Sequence, residues 1–158
     1  MERDADLALS NAGQLELLRA FVQRGAALRT SVRGASMSPF IRDRDVLTVA
    51  PLEARGPRVG DVVAVALGRP ERLFIHRVVA CRPGGWLIRG DACRHADGVA
   101  APADVVGRVV AAERRGRAVR LGIRSGVGGG AIVALLSRGD VLRFGLALWR
   151  LPRRLARR

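Results

Sequence analysis

One serine, one histidine and a choice of aspartates carry the chemistry open to this sequence. They sit in Gly34-Ala35-Ser36-Met37-Ser38-Pro39-Phe40, in Ile75-His76-Arg77-Val78 and from Arg89-Gly90-Asp91 onward. A serine hydroxyl is a weak nucleophile at neutral pH and needs a base within hydrogen-bond reach. The usual bases are a neutral lysine or a histidine. The first is closed here: all 28 basic side chains are arginine, which keeps its proton in a protein. An activated Ser36 therefore requires a histidine, and only His76 and His95 are present. An imidazole titrates near neutral pH, so it can take the serine proton and return it to a leaving amine without a large desolvation shift.

Apolar runs divided by Gly, Pro and Asp must position these groups. Leu15, Leu18, Phe21, Val22 and Leu28 recur at helical spacing over Asn11–Arg29, with Glu16, Arg19 and Arg24 on the other side and Ser10 or Asn11 as cap. Short β-branched or alternating runs follow. Leu28–Val32 leads into the Ser36 turn and Asp45–Val49 leaves it. Asp61–Leu67, Phe74–Cys81, Trp86–Arg89, Val105–Ala112 and Ala118–Ile123 come next. Arg82-Pro83-Gly84-Gly85 and Arg114-Arg115-Gly116 read as hairpin connections. Strands spaced this way predict a mainly β domain, not alternating βαβ units. From Gly126 the texture changes. Gly126 and Gly128-Gly129-Gly130 form a joint, and 131–158 is apolar with interspersed and terminal arginines. That pattern predicts an amphipathic helical tail, either closing one end of the β domain or lying on an anionic membrane surface. The chain thus divides into an N-terminal helix over 1–29, a β domain over 30–123, and joint and tail over 124–158.

The totals set bounds. A chain of 158 residues, 49% hydrophobic and 27% charged, supports one folded domain with a real core. The net charge of +14 favours anionic partners, although arginine without lysine beside many Ala, Gly and Val is also what a GC-rich coding sequence produces. Nucleic acid is not the expected partner, since six aromatic residues and no tyrosine make a poor stacking platform. Cys81 and Cys93 make no disulfide framework and are expected to be buried small side chains. Glu2, Arg3, Asp4 and Asp6 argue against a secretory signal. The longest uncharged stretch, Ser125 to Ser137, has 13 residues and four glycines, short of the roughly 20 that span a bilayer. A peripheral-membrane or cytoplasmic location is expected.

Five motifs in one order then carry a resemblance: Gly34-Ala35-Ser36-Met37-Ser38-Pro39, Gly60-Asp61-Val62-Val63, Ile75-His76-Arg77-Val78, Ile88-Arg89-Gly90-Asp91 and Gly107-Arg108-Val109. The series resembles the serine peptidases that include signal peptidase I and the LexA-type self-cleaving proteins, over about Thr30 to Ala112. Histidine before Arg-Val, where the usual bacterial enzymes carry lysine, is similar to the archaeal and endoplasmic-reticulum signal peptidases. In those, one aspartate lies in a Gly-Asp pair and another six residues later, and Asp91 and Asp97 fill both positions. The resemblance implies a signal peptidase/LexA-like β domain, with Ser36 as nucleophile, His76 as general base and then acid, and Asp91 or Asp97 as orienter. Of the two, Asp97 is favoured for the far ring nitrogen, and Asp91, in a tight turn beside arginines, is equally readable as structural. The Ser36 N–H is the natural oxyanion donor. Gly34 stands where many relatives place a second, hydroxyl donor, so a backbone N–H would have to replace it. Met37 and Pro39 are expected to shape the turn and line the substrate cleft, with Ser38 a bystander. From the flanking segments, neither a leading membrane anchor nor the DNA-reading helices of the group are expected.

Rival readings are weaker. Asp91, Cys93, His95 and Asp97 alternate and could be taken as metal ligands on one strand face, but the spacing is that of no familiar zinc site, and His95 reads better as an exposed loop residue. No metal or cofactor is expected. The sequence thus predicts a serine endopeptidase that removes leader or signal-like segments from precursor proteins. The alternative is a LexA-like regulatory or binding domain, self-cleaving or inactive, with a basic surface. Self-cleavage of that type relies on a Ser–Lys pair, which this chain cannot supply.

Overall fold

The computed structural model describes residues 10–121. The apolar helical spacing forms α1, Asn11–Gln23. Ser10 caps it, its hydroxyl accepting the Gly13 N–H at 3.2 Å. The helix stops at Gln23, short of the expected Arg29. Gly25 takes φ 73°, and the N–H groups of Gly25 and Ala26 turn back onto the carbonyls of Val22 and Phe21, a Schellman stop. Leu28 is thereby released from the helix to open the first strand.

Eight strands follow: β1 Leu28–Ser31, β2 Val46–Ala50, β3 Val62–Leu67, β4 Arg72–Arg82, β5 Gly85–Arg89, β6 Gly98–Ala100, β7 Val105–Arg114 and β8 Arg117–Val119. They form one curled antiparallel sheet ordered β1-β2-β7-β3-β4-β5-β6, with β8 paired to β7. The domain is mainly β, as expected. Register shifts at Thr48/Val49, Ala64/Val65 and Val78/Ala80 bend the strands where the sheet curls. Both anticipated hairpins form. Arg82 pairs Gly85 across Pro83-Gly84. Arg114 pairs Arg117 across Arg115 and Gly116, whose φ of 51° and 74° suit a type I′ turn. The three-residue β6 was not expected, being too short to show a period.

The curl gives β3 two buried faces. Val62, Ala64 and Ala66 pack with Leu15 and Leu18 of α1 and with Met37, Ile41 and Leu47. Val63 and Val65 pack the other way, with Val78, Ile88, Ala100 and Val105. This double burial is why β3 reads as an unbroken apolar run instead of an alternating one. Cys81, expected to be buried, is exposed near the β4–β5 turn, and neither cysteine is bridged. Among the described residues no helix is long and apolar enough to cross a membrane. The joint and helical tail expected over 124–158 lie outside the described residues.

Candidate active site

Ser36 sits in the connection between β1 and β2. The neck of this loop is closed by Val32 N–H to Asp45 O (3.0 Å) and Arg44 N–H to Val32 O (2.8 Å). Met37 and Ile41 are buried in the core and hold the loop down. Arg114 reaches across from β7 to bond both Asp45 carboxylate oxygens (2.8 and 2.7 Å) and the Phe40 carbonyl (3.0 Å). Burial alone would push the Asp45 carboxyl up. The bonds from Arg114 and from the Arg42 N–H outweigh that and hold it below the usual carboxylate range. On its far side the Ser36 carbonyl accepts the Ala92 N–H at 2.8 Å. The serine is thus fixed from two directions.

His76 lies within β4, opposite Val63, and is 4% exposed. Its ring is tilted against Phe74, with centroids 5.7 Å apart. His76 Nε2 is 3.0 Å from Ser36 Oγ, and Nδ1 is 2.6 Å from Asp97 Oδ2. Asp97 is anchored by its own N–H, donated to the Ile88 carbonyl at 2.9 Å. With Asp97 ionised, Nδ1–H donates to the carboxylate, and Nε2 is left to accept the serine hydroxyl. That is the geometry of nucleophile, base and orienter.

Asp91 is placed elsewhere. Its two oxygens accept Arg77 Nε and Nη2, each at 2.7 Å, and both side chains are 3% exposed. Arg77 also donates to the carbonyls of Gly60 and Leu121, each at 2.7 Å, and its guanidinium lies 5.6 Å from the Phe40 ring centre. Asp91 therefore locks the Gly90-Asp91 turn to β4 and the Ser36 loop. Gly90 fills a role that its motif hinted at without revealing. A Cβ there would lie 2.8 Å from the Ser36 carbonyl oxygen, 3.0 Å from His76 Nε2 and 2.7 Å from Cys93 Sγ. Only a glycine lets this turn press against both members of the pair.

The other expected residues divide. Gly34 is exposed at φ 104°, and its N–H is donated to Asp43 Oδ1 at 2.9 Å, so that N–H is not the second oxyanion donor. The Ser36 N–H makes no hydrogen bond among the described residues. Met37 and Gly34 line a cleft beside Ser36, whereas Pro39 does not and instead accepts Arg42 Nε through its carbonyl at 3.4 Å. Residues 91–97 form turn and loop, not strand, so their alternation does not gather four side chains on one face. His95 is exposed, and no metal-holding group of three or more His, Cys, Asp or Glu exists among the described residues. Burial, and then the charge of Asp97, pushes the Cys93 thiol up, so it stays protonated at neutral pH and does not rival Ser36.

The cleft holds about 210 Å³ and runs from Ser36 between two strand edges. One wall is β1, which ends the sheet. The other is the first half of β4, which pairs with β3 on one side but meets β5 only from Arg77 onward. Sequence reasoning also missed Asn11 and Gln14 of α1, which line the cleft. No protein-family model matches this chain, and no curated protein matches it.

Proposed function

We propose that the protein is a serine endopeptidase of signal-peptidase type, cleaving leader or signal-like segments from precursor proteins. The observation that carries this is the continuous chain Ser36 Oγ, His76 Nε2, His76 Nδ1, Asp97 Oδ2 at 3.0 and 2.6 Å, with the serine at the end of a cleft bounded by strand edges. A substrate would lie extended along those edges, its main chain pairing with them. Ser36 Oγ attacks the peptide carbonyl as His76 Nε2 takes its proton. The Ser36 N–H faces the developing oxyanion. His76 returns the proton to the leaving amine, and a water, activated by the same nitrogen, releases the acyl group. Asp97 acts through His76, holding its tautomer. Precursor segments are the partners on this reading, with an anionic membrane surface engaged through the C-terminal basic segment of 124–158, and the protein is peripheral to that membrane or cytoplasmic.

The test is incubation of the purified chain with a peptide library, followed by mass spectrometry, beside Ser36→Ala and His76→Ala. Cleavage lost in both variants, with unchanged circular dichroism, is the expected result. Equal turnover by wild type and Ser36→Ala, or none by either, would remove the peptidase reading. Sequence-blind, salt-sensitive binding to polyanions without cleavage would favour the binding domain instead.

A further inference from the structure

The Asn11 side chain pairs with the backbone of a strand. Its Nδ2 donates to the Leu73 carbonyl at 3.0 Å, and its Oδ1 accepts the Leu73 N–H at 2.8 Å. One amide side chain thus satisfies both outward groups of a β4 residue, as a neighbouring strand would. On the opposite wall, Gln14 Nε2 approaches the Ser31 carbonyl at 3.4 Å. Both side chains come from the first turns of one helix and both line the cleft. That helix is firmly seated. Leu15 and Leu18 are buried beneath it, and Arg19 makes two bonds to Glu71, at 2.8 and 3.0 Å, just before β4.

Successive strand residues direct their N–H and C=O groups to opposite sides. Leu73 faces the uncovered edge, so Ile75 does too, while Phe74 and His76 serve β3. Asn11 therefore occupies Leu73 and leaves Ile75, whose outward N–H and C=O meet no strand among the described residues, as the pair nearest His76. A peptide rising about 3.3 Å per residue from the cut site passes Ile75 and meets Asn11 after about three residues.

Resting on the peptidase reading, we infer that Asn11 and Gln14 form an end-stop that limits edge recognition to about three substrate residues on the acyl side of the cut bond. The site accepts precursors for a short extended segment only. Chain beyond that segment must leave the sheet plane instead of pairing with Leu73. Asn11 and Gln14 are specificity-determining residues, remote from the reacting atoms.

The test uses the full chain carrying Ser36→Ala, so that length is read from affinity and not from turnover. The probes are N-acetylated alanine peptides with one to seven acyl-side residues, counting the alanine of the Ala-Gly bond, and fluorescein on the far side, titrated by anisotropy. In this parent, affinity should rise to three acyl-side residues and then stay within about twofold. Adding Asn11→Ala frees the Leu73 N–H and C=O for the peptide, and affinity should keep rising to five residues, by about tenfold in all for two backbone hydrogen bonds. Gln14→Ala, which leaves the Leu73 pair intact, should give a gain of about threefold. A parent whose affinity climbs past three residues would overturn the end-stop. So would a folded Asn11→Ala variant with the parent's plateau, and if that variant does not fold, an unchanged profile in Gln14→Ala does the same. Absence of binding across the series would overturn the peptide cleft altogether. Loss of Ser36-dependent cleavage in the library assay, with the length profile intact, would instead strike the peptidase reading alone.

Discussion

Gly90→Ala adds one methyl group at the tightest point of the site, and its consequences can be worked from three distances. The new carbon would lie 2.7 Å from Cys93 Sγ, 2.8 Å from the Ser36 carbonyl oxygen and 3.0 Å from His76 Nε2. Ordinary contact needs about 3.5 Å or more, so each neighbour must yield by roughly 0.5–0.8 Å. Cys93 Sγ can rotate aside. The Ser36 oxygen is held by the Ala92 N–H, and His76 by Asp97 and its strand, so the turn itself must move outward and carry Ala92 with it. The 3.0 Å Ser36–His76 contact is then lost or misaligned. Overpacking of this kind costs about 1–3 kcal/mol of stability. Misplacement of a reacting pair by a large fraction of an ångström costs about 10²-fold in rate. We expect kcat to fall by about that factor, with KM changed much less. The assay is steady-state cleavage of the best library peptide, beside urea unfolding of the same preparation. Gly90→Ala/Cys93→Ala separates the contributions: removing the sulfur should recover part of the stability and little of kcat, since the other two contacts persist. A folded Gly90→Ala protein with wild-type kcat would refute the reasoning, as would full recovery of kcat in the double variant.

The two aspartates should behave oppositely. Asp97→Asn keeps the shape but favours the wrong imidazole tautomer, so kcat should fall by about 10⁴-fold with little change in the urea midpoint. Asp91→Asn strands the buried Arg77 charge and should cost about 3–5 kcal/mol in urea unfolding, with any loss of activity following loss of fold. Asp45, whose carboxyl is held below its usual range, contributes stability that is complete above about pH 4 and drains away as pH falls through the folded-state value. Unfolding midpoints measured from pH 6 to pH 2 should therefore fall more steeply in wild type than in Asp45→Asn.

Much of this was legible because the periods were clean. The β4 run from Phe74 to Cys81 and the glycine-punctuated turns announced strands and hairpins, and the absence of lysine leaves only His76 and His95 as bases for Ser36. What stayed hidden was contact made across the sheet. The helix boundary failed because Leu28 continues the apolar spacing, while the stop depends on Gly25 at positive φ, which spacing does not register. The sequence favours Asp97 over Asp91 as orienter without fixing the choice, because two loop carboxylates near one histidine look alike until the partner of each is known. The end-stop at Asn11 pairs residues 62 apart in sequence, a distance over which no local pattern carries information.

The placement of the arginines has a physical logic that net charge conceals. Of the three site groups only His76 comes from the middle of a strand; Ser36 and Asp97 come from loops, which fluctuate unless tied down. Two arginine–aspartate forks perform that tying. Arg114–Asp45 grips the loop bearing Ser36, and Arg77–Asp91 grips the turn that presses Gly90 against Ser36 and His76. Each fork makes two bonds to one carboxylate and at least one more to a backbone carbonyl, a planar multidentate geometry that a lysine ammonium cannot reproduce. Both are sheltered enough to persist where exposed pairs would be screened, with Asp45 1% and Asp91 3% exposed. Such pairs contribute less to net stability than their geometry suggests, because desolvation offsets the attraction. Their effect is on position: they hold a loop serine 3.0 Å from a strand histidine, where free loops would sample a wider range of distances.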